Sequence, residues 1–449
     1  MRSATSLSLF DDEPQENEAV HGSRLQPKRS KNLKAARSGT FTDNMKLPIH
    51  RWFRYSAGFS AEWAESVIRE NSLGTDACVL DPFAGSGTTI IAAEKAGANA
   101  IGFESHPFVT RIAQAKLMWR SVDTAKFRDA AANLVASAKA SSPPSLEQTA
   151  PLLLKCYTDD ALVVLFSLRD KFLSSPPKNK AIRELLWLAI TAILRPCSHV
   201  GTAQWQYVLP SKKKAKTLSP IEAFDAKVSE IISDVEYARS ENFTSQAHIF
   251  AQDARQPSAI APASIDLVVT SPPYPNNYDY ADATRLEMTF WGEVETWGDL
   301  QSKVRKHIIR SCSQHSAAER LQLDDLLKLE VVSPIVDELT QVCRTLEEVR
   351  LTKGGKKTYH TMIAAYFVDL ANIFRALRPV CKEGSRLCFV IGDSAPYGVY
   401  VPAEEWLGRL ALSVGFKSYS FEKLRDRNIK WKNRKHQVPL HEGRLWIEG

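Results

Sequence analysis

Four consecutive residues, Ser271 to Tyr274 (Ser-Pro-Pro-Tyr), place a hydroxyl, two rigid rings and an aromatic side chain directly after an apolar run at 264–270. A short apolar run that is stopped by two prolines is typical of a buried parallel strand whose carboxyl end opens into a stiff loop. In an open α/β sheet, ligands bind at that end of the strands. The loop can therefore hold a polar group in one place, and Tyr274 offers a flat face for stacking.

A second group of residues follows another strand pattern and reads Asp81-Pro82-Phe83-Ala84-Gly85-Ser86-Gly87-Thr88-Thr89. A strand, a Gly-x-Gly and a helix start bring the backbone close to a nucleotide-like ligand, because no Cβ stands in the way. The next strand pattern ends at Glu104, where an acid can accept hydrogen bonds from ribose hydroxyls. A Walker-type phosphate loop is excluded here, since the Gly-Lys-Ser/Thr signature is missing.

Together the two motifs resemble those of the amino-group DNA methyltransferases, which use S-adenosylmethionine. The resemblance covers about 48–120 and 248–449, and the middle of the chain is outside it. It implies an α/β fold with the Rossmann-like sheet of class I methyltransferases, mostly parallel with an antiparallel last strand, and a helical insertion. The implied catalytic residues are Ser271, Pro272, Pro273 and Tyr274. The implied cofactor contacts are Phe59, Ser60, Asp81, Pro82, Phe83, Gly85, Gly87, Thr88, Glu104 and Asp253.

The implied reaction moves a methyl group from a sulfonium to an exocyclic amine. Such an amine is a poor nucleophile, so the enzyme must align its nitrogen and draw its protons away. We expect Ser271 and the carbonyl of Pro272 to accept the two N–H groups, and Tyr274 to stack on a base that has been flipped out of the duplex. A covalent cysteine mechanism is not indicated, because the one Pro-Cys pair, Pro196-Cys197, lies in the helical insertion and is interpreted as core.

The identity of the base depends on one residue. A serine at position 271, where adenine-N6 enzymes usually have Asp or Asn, favours cytosine N4. Adenine N6 and an RNA base methyltransferase of the same fold stay open as alternatives. A third alternative is a catalytically silent module that binds nucleic acid or docks on the sliding clamp.

The chain divides by composition into a disordered basic tail at 1–44, a catalytic domain at 45–120 and 246–449, and a helical insertion at 121–245. The motif order then becomes cofactor region, recognition region and catalytic region. The insertion is the candidate target-recognition region. A charged excursion or lid at 293–358 competes for that role.

Clustered positive charge predicts double-stranded DNA as the partner. The formal net charge is +7, and lysines 212–216 and the basic stretch 423–435 are interpreted as phosphate contacts, with solvated loops as the alternative. A basic block at 24–37 is either a nucleic-acid-binding arm or a solvated tail. A segment with Leu7, Leu9 and Phe10 resembles a sliding-clamp peptide, although Ser6 replaces its usual Gln. A cognate restriction endonuclease is a further possible partner.

Seven scattered cysteines without a Cys-x-x-Cys spacing indicate reduced core thiols, and no metal site is expected. No apolar run approaches the ~20 residues that a membrane span needs. We therefore expect a cytoplasmic protein that does not associate with membranes.

Overall fold

The computed structural model describes residues 41–71, 74, 76–202, 208–241, 243, 246–256, 260–276, 278–354, 357–427 and 438–449. The basic block at 24–37, the clamp-like residues Leu7, Leu9 and Phe10, and most of the basic stretch after Arg427 lie outside the described residues.

Nine strands form a seven-stranded sheet and a separate two-stranded hairpin within the described residues. They are β1 (Cys78–Asp81), β2 (Asn99–Glu104), β3 (Val200–Thr202), β4 (Val208–Lys213), β5 (Ala247–Ala251), β6 (Ile265–Thr270), β7 (Cys381–Gly392), β8 (Ser418–Arg427) and β9 (Leu440–Glu448). The order in the large sheet is β5-β2-β1-β6-β7-β9-β8. Strands β5, β2, β1, β6 and β7 are parallel, and β9 runs antiparallel to both of its neighbours. This confirms the predicted Rossmann-like sheet with an antiparallel last strand, although β9 lies inside the sheet and β8 forms the edge.

The described helices are α1 (Ala61–Glu70), α2 (Thr88–Ala96), α3 (Pro107–Lys116), α4 (Thr124–Ala140), α5 (Pro151–Cys156), α6 (Asp159–Ser174), α7 (Lys180–Cys197), α8 (Pro220–Ser240), α9 (Arg285–Phe290), α10 (Asp299–Lys303), α11 (Ser313–Ala318), α12 (Leu323–Leu327), α13 (Val336–Thr352), α14 (Tyr359–Leu377) and α15 (Ala403–Ser413). Among them, none is long and apolar enough to cross a membrane.

The side chains of the central strands point alternately into two buried layers. Val79 and Leu267 face a cluster that contains α1 to α4 and α6 to α8, whereas Leu80 and Val268 face a cluster built around α14 and α15. Because successive side chains of a strand point to opposite faces, a strand covered by helices on both faces must be apolar at nearly every position. This explains the uninterrupted apolar runs that mark β1 and β6.

The chain order reverses beside β1, which has β2 on one side and β6 on the other. Loops that follow neighbouring strands diverge at such a switch point and leave a crevice outside the carboxyl ends of the strands. The Gly-x-Gly loop follows β1 and the Ser-Pro-Pro-Tyr loop follows β6, so the fold brings both motifs to one crevice.

Residues 121–245 contain helices α4 to α8 and the β3–β4 hairpin. Buried Asp234 on α8 ties this segment to the start of the fold, because its carboxylate accepts the backbone N–H of Ile49 at 2.9 Å and the indole N–H of Trp52 at 2.8 Å. Arg51 pairs with the same carboxylate. The segment therefore packs as part of the main core.

The described chain begins at residue 41, close to the expected end of the tail at residue 44. Thr42–Lys46 forms a 3₁₀ helix, and buried Asn44 contacts the start of α1. Its amide donates to the carbonyl of Phe59 and accepts from the N–H of Ala61, both at 2.8 Å. These contacts satisfy backbone groups at a helix N-terminus, a role that composition alone does not indicate.

Candidate active site

A cavity lies at the carboxyl edge of β1, β2 and β6. It is lined by Tyr55, Ala57, Gly58, Phe59, Phe83, Ala84, Gly85, Ser86, Thr88, Glu104, Ser105, His106, Ser271, Pro273, Tyr280, Ile308 and Ile309. The structure thus brings together the predicted cofactor residues Phe59, Phe83, Gly85, Thr88 and Glu104 with two residues of the Ser-Pro-Pro-Tyr loop. One cavity holds both halves of the predicted site.

Glu104, at the end of β2, fixes the Gly-x-Gly loop. Its carboxylate accepts the backbone N–H of Gly85 at 2.9 Å and the backbone N–H of His106 at 2.7 Å. Burial raises the pKa of Glu104 to about 7, although the backbone N–H groups of His106 and Gly85 oppose the rise. A carboxylate has about four lone-pair positions, so two more donors, such as ribose hydroxyls, can still be accepted.

Gly85 has a positive φ of +52°, and a Cβ built on it would lie 3.2 Å from the ring of Tyr55. The turn therefore needs glycine for its backbone conformation and for the close approach of an aromatic ring. Gly87, with φ +87°, directly precedes α2 and does not line the cavity among the described residues.

Asp81 lies behind the cavity and connects the two motif loops. Its carboxylate is fully buried, accepts the N–H of Phe83 at 3.0 Å and accepts the hydroxyl of Thr270 at 2.6 Å. Burial raises the pKa of Asp81 to about 6, against the hydrogen bonds from Thr270 and Thr89. Because Thr270 directly precedes Ser271, this contact sets the distance between the Gly-x-Gly loop and the Ser-Pro-Pro-Tyr loop.

Ser271 and Pro273 face the cavity, whereas Pro272 is buried. The hydroxyl of Ser271 donates to the carbonyl of Val390 at 3.3 Å. The hydroxyl of Ser394 donates to the carbonyl of Pro275 at 2.7 Å. Strand β7 and the residues after it therefore hold the loop at both of its ends.

Tyr274, the last residue of the Ser-Pro-Pro-Tyr loop, is not among the described residues that line the cavity. Burial raises the pKa of its phenol, and the nearby carboxylate of Glu442 acts in the same direction. The guanidinium carbon of Arg427 stands 5.3 Å from the centre of the Tyr274 ring. The phenol is thus a neutral ring with a cation close by.

Sequence reasoning missed several cavity residues. Tyr55 lies in the aromatic segment before α1, and Tyr280 follows the Ser-Pro-Pro-Tyr loop and packs edge-to-face on Tyr278, with the ring centres 4.4 Å apart. Ile308 and Ile309 come from the predicted excursion at 293–358, which reaches the cavity through them. Their types carry no chemical signal, so only the fold could identify them.

His106 is another cavity residue that the sequence did not single out. Its ring is buried, one ring nitrogen lies 2.9 Å from the hydroxyl of Thr284, and burial lowers its pKa to about 3. The imidazole is therefore neutral at physiological pH, which suits a wall that faces an aromatic ligand.

Three predicted cofactor residues have other partners. Ser60 caps α1 by accepting the N–H of Trp63 at 3.2 Å. Pro82 is buried. Asp253 accepts both Nε and Nη2 of Arg255, at 2.9 and 2.6 Å. Within the described residues, none of the three lines the cavity.

One cluster of metal-ligand types, Asp393, Glu404 and His441, occurs in the described part of the chain. The two ring nitrogens of His441 face different carboxylates, Nδ1 at 2.9 Å from Asp393 and Nε2 at 2.8 Å from Glu404. One metal ion can take a single nitrogen of an imidazole, so this geometry describes a hydrogen-bonded chain. As predicted, the cysteines are free, and six of the seven are buried, including Cys197.

Comparisons with known proteins find DNA methyltransferases. The family model for N6/N4 methyltransferases, described as DNA methylase, matches residues 11–115. The chain is 25% identical over 434 residues to type II methyltransferase M.BsoBI of Geobacillus stearothermophilus, which covers 86% of this chain and 82% of the relative. It is 26% identical over 409 residues to type II methyltransferase M.AvaI of Nostoc sp. strain PCC 7120 and of Anabaena variabilis, covering 84% of this chain and 81% of each relative.

The fold, the cavity and these matches define the class of protein: the chain is a methyltransferase that uses S-adenosylmethionine as methyl donor. The residues fit that cofactor, since Gly85 leaves a cradle that a Cβ would narrow and Glu104 offers free lone pairs. More particularly, the matches make it similar to the amino-group DNA methyltransferases of the N4/N6 type.

Proposed function

We propose that this protein methylates the exocyclic N4 amine of cytosine in duplex DNA, on a base flipped into the crevice between the two motif loops. The observation that carries the proposal is the hydroxyl of Ser271, which lines the cavity and donates its one proton to Val390. The same hydroxyl is hydrogen-bonded with the phenol of Tyr274, and a remaining lone pair can accept an N–H from a target amine. A neutral hydroxyl takes the place that an acid or amide has in adenine-type sites.

Catalysis follows from alignment and from hydrogen bonding that develops with the reaction. The amine of cytosine is conjugated with the ring, and two acceptors, Ser271 Oγ and the carbonyl of Pro272, favour a pyramidal and more nucleophilic nitrogen. The cofactor supplies the methyl group when bound. As the N–C bond forms, the amine loses one proton, which leaves along one of these hydrogen bonds toward solvent. Tyr274 stacks on the base, which offsets part of the cost of flipping it.

The cofactor side of the cavity is assigned to Phe59, Phe83, Gly85, Thr88 and Glu104. Glu104 accepts the ribose hydroxyls. The aromatic rings enclose the adenine and the sulfonium, which an aromatic face attracts. We also retain Asp253 as a contact of the adenine, although it would have to share its carboxylate with Arg255.

DNA binding is assigned to the basic loops near this face. Lys212 and Lys213 of β4 are exposed, as are Lys423 and Arg425 of β8. Lys214 has a different role, because its ammonium donates to the carbonyl of Arg195 at 2.6 Å. We assign target recognition to 121–245, with 293–358 as the competing segment.

A restriction partner is part of the proposal. The relatives from Geobacillus, Nostoc and Anabaena carry the name type II methyltransferase, and by that likeness we propose that this chain protects DNA from a cognate endonuclease in a restriction-modification system. Docking on the sliding clamp through Leu7, Leu9 and Phe10 stays a separate hypothesis.

Single-molecule sequencing of DNA from cells that express the protein tests the function. The expected result is N4-methylcytosine within one recurring sequence context, and its absence in cells that express Ser271→Ala. N6-methyladenine in a recurring context would move the assignment to the adenine branch. A methylated RNA base together with unmodified DNA would contradict the proposal.

A further inference from the structure

We infer that Arg427 is a positioning residue of the reaction, which holds the Tyr274 ring in the orientation that stacks on the target base. The inference rests on the proposed function, because it assigns a partner to the stacking residue. Arg427 ends β8, the edge strand of the sheet, yet its guanidinium carbon lies 5.3 Å from the centre of the Tyr274 ring. Strand β8, three positions along the sheet from β6, therefore supplies a side chain that contacts the Ser-Pro-Pro-Tyr loop.

Two anchors fix the guanidinium. Its Nη1 donates to the carbonyl of Asp393 at 2.9 Å, and its Nε lies 3.9 Å from the carboxylate of Glu442. The side chain of Arg427 is 19% exposed and that of Glu442 only 5%. A planar cation that is always charged and held at two points presents one defined face to an aromatic ring.

The backbone leaves room for this arrangement. Residue 392, at the end of β7, is glycine, and a Cβ added there would clash with Nη1 of Arg427. The φ of Gly392 is not positive, so the backbone conformation does not require glycine. The space is taken by the guanidinium as it crosses β7 toward Tyr274.

The anchor Asp393 is itself held in place. Its carboxylate accepts the N–H of His441 at 2.8 Å and lies 2.9 Å from His441 Nδ1, and the other ring nitrogen reaches Glu404. The next residue, Ser394, donates to the catalytic loop at Pro275. The ends of β7, β8 and β9 thus form one support for the loop after β6.

An alternative role for Arg427 is a direct contact to a DNA phosphate, independent of Tyr274. A double-mutant cycle separates the two roles, because residues that act through one contact show non-additive losses. The cycle uses Arg427→Ala, Tyr274→Ala and the double variant in full-length protein. It measures the single-turnover rate of tritiated methyl transfer to DNA that carries the sequence context found in expressing cells.

The expected loss for Arg427→Ala is about 10-fold in rate, a size that coupling between neighbours commonly reaches. The double variant should then be no slower than Tyr274→Ala within about twofold, since the cation has lost the ring on which it acts. Cofactor affinity, measured by calorimetry, should stay unchanged. The matched control is Arg386→Ala. Arg386 lies in the middle of β7, its guanidinium carbon is 4.6 Å from the centre of the Trp446 ring, and its removal should leave the rate unchanged.

Two further variants keep the test sharp if Arg427→Ala folds poorly. Gly392→Ala retains the cation but displaces it and should show the same loss. Arg427→Lys retains the positive charge but lacks the planar guanidinium, so it should recover at most part of the lost rate. A wild-type rate in Arg427→Lys would overturn the orienting role.

If the rate losses of the two single variants multiply in the double variant, Arg427 acts independently of Tyr274. That result would overturn this inference and leave the proposed function standing. An active wild-type protein distinguishes that outcome from failure of the proposed function. If the wild-type protein transfers no methyl group to DNA, both fall together.

Discussion

At the residue scale, the reaction depends on how a hydroxyl and a ring are oriented at the end of β6. The hydroxyl of Ser271 donates to the carbonyl of Val390 and is hydrogen-bonded with the phenol of Tyr274, and in our proposal a remaining lone pair accepts the substrate amine. Tyr274 is kept neutral by burial, beside the cation of Arg427. Neither side chain needs to change its charge during methyl transfer, so the chemistry is expected to tolerate a broad pH range apart from effects on cofactor binding.

Replacing Ser271 by alanine removes an acceptor that aligns the amine. We expect the single-turnover rate to fall about 100-fold or more, the lower range of what a positioned proton acceptor contributes, while cofactor binding stays intact. The control is Ser264→Ala, because Ser264 lies half-buried just before β6, outside the cavity lining, and donates to the carbonyl of Ala261. Equal rates for wild type and Ser271→Ala would show that this hydroxyl is not the acceptor.

Glu104 makes cofactor affinity pH-dependent. Its pKa is raised to about 7 by burial, so the free protein binds a proton there below pH 7, and donors such as ribose hydroxyls favour the ionised form. Affinity should therefore rise from pH 6 to pH 8 by about 10-fold, as the carboxylate ionises. Calorimetry across this range measures it.

The same measurement on Glu104→Gln should give a weak and pH-independent affinity. Glu62→Gln, on the exposed side of α1, should retain the wild-type profile. A pH-dependence that persists in Glu104→Gln would assign the titration to another group.

The raised pKa also affects folding. A carboxyl whose pKa rises on folding binds more protons in the native state between the two pKa values. Its contribution to the free energy of unfolding therefore falls as the pH rises from about 4.5, the unfolded value, to about 7. Cofactor binding offsets this loss at higher pH, because the bound ligand favours the ionised carboxylate.

At the element scale, the strand ends are the part of the site that sequence reasoning predicted well. The motifs after β1, β2 and β6 meet in one cavity, because parallel strands carry their carboxyl ends to one edge. The supporting contacts were not predictable, since they join distant segments without a local signal. Asn44 stabilises the start of α1, Tyr55 covers Gly85, and Arg427 reaches Tyr274 across two strands.

Asp253 is a residue for which the local sequence pattern was not sufficient. An acid after β5 matches the resemblance, but Arg255 and buried Asp369 form an ion-pair network with it. That network depends on α14, more than a hundred residues further along the chain. A local pattern cannot show whether an acid is already paired.

Gly85→Ala tests the Gly-x-Gly turn as an element. The positive φ alone costs roughly 1–2 kcal/mol for an L-residue, and the added methyl meets the Tyr55 ring. We expect cofactor binding to be lost beyond detection in calorimetry. Gly97→Ala is the matched control, because Gly97 also has a positive φ, +82°, but no atom lies within 4 Å of the added Cβ.

Gly97→Ala should lower the midpoint of thermal unfolding and leave cofactor affinity unchanged. If Gly85→Ala also changed only the midpoint, the turn would not be the cofactor cradle.

At the scale of the whole molecule, residues 121–245 belong to the core and are joined to the catalytic half by a buried ion pair. Arg195 on α7 donates to the carboxylate of Glu287 on α9 and, at 2.7 Å, to the carbonyl of Ala283. The side chains are 13% and 1% exposed. We propose that 121–245 reads the target, and a segment attached this firmly can set where the DNA lies relative to the Ser-Pro-Pro-Tyr loop.

Removing one partner of this pair should strongly destabilise the fold. For Arg195→Met we expect the free energy of unfolding to fall by about 3–5 kcal/mol, because Glu287 would be left as an unpaired buried charge. Chemical denaturation measures it. Arg344→Met, which breaks an exposed pair with Glu347, should change the free energy of unfolding far less, because exposed ion pairs contribute little; similar losses in the two variants would refute the structural role of the buried pair.

The most direct test of the whole account is nucleoside mass spectrometry of DNA treated with the purified protein and deuterium-labelled S-adenosylmethionine. The account predicts labelled N4-methylcytosine, strongly reduced with Ser271→Ala and unaffected with Ser264→Ala. Labelled N6-methyladenine, labelled 5-methylcytosine, or a product that persists in Ser271→Ala would contradict it.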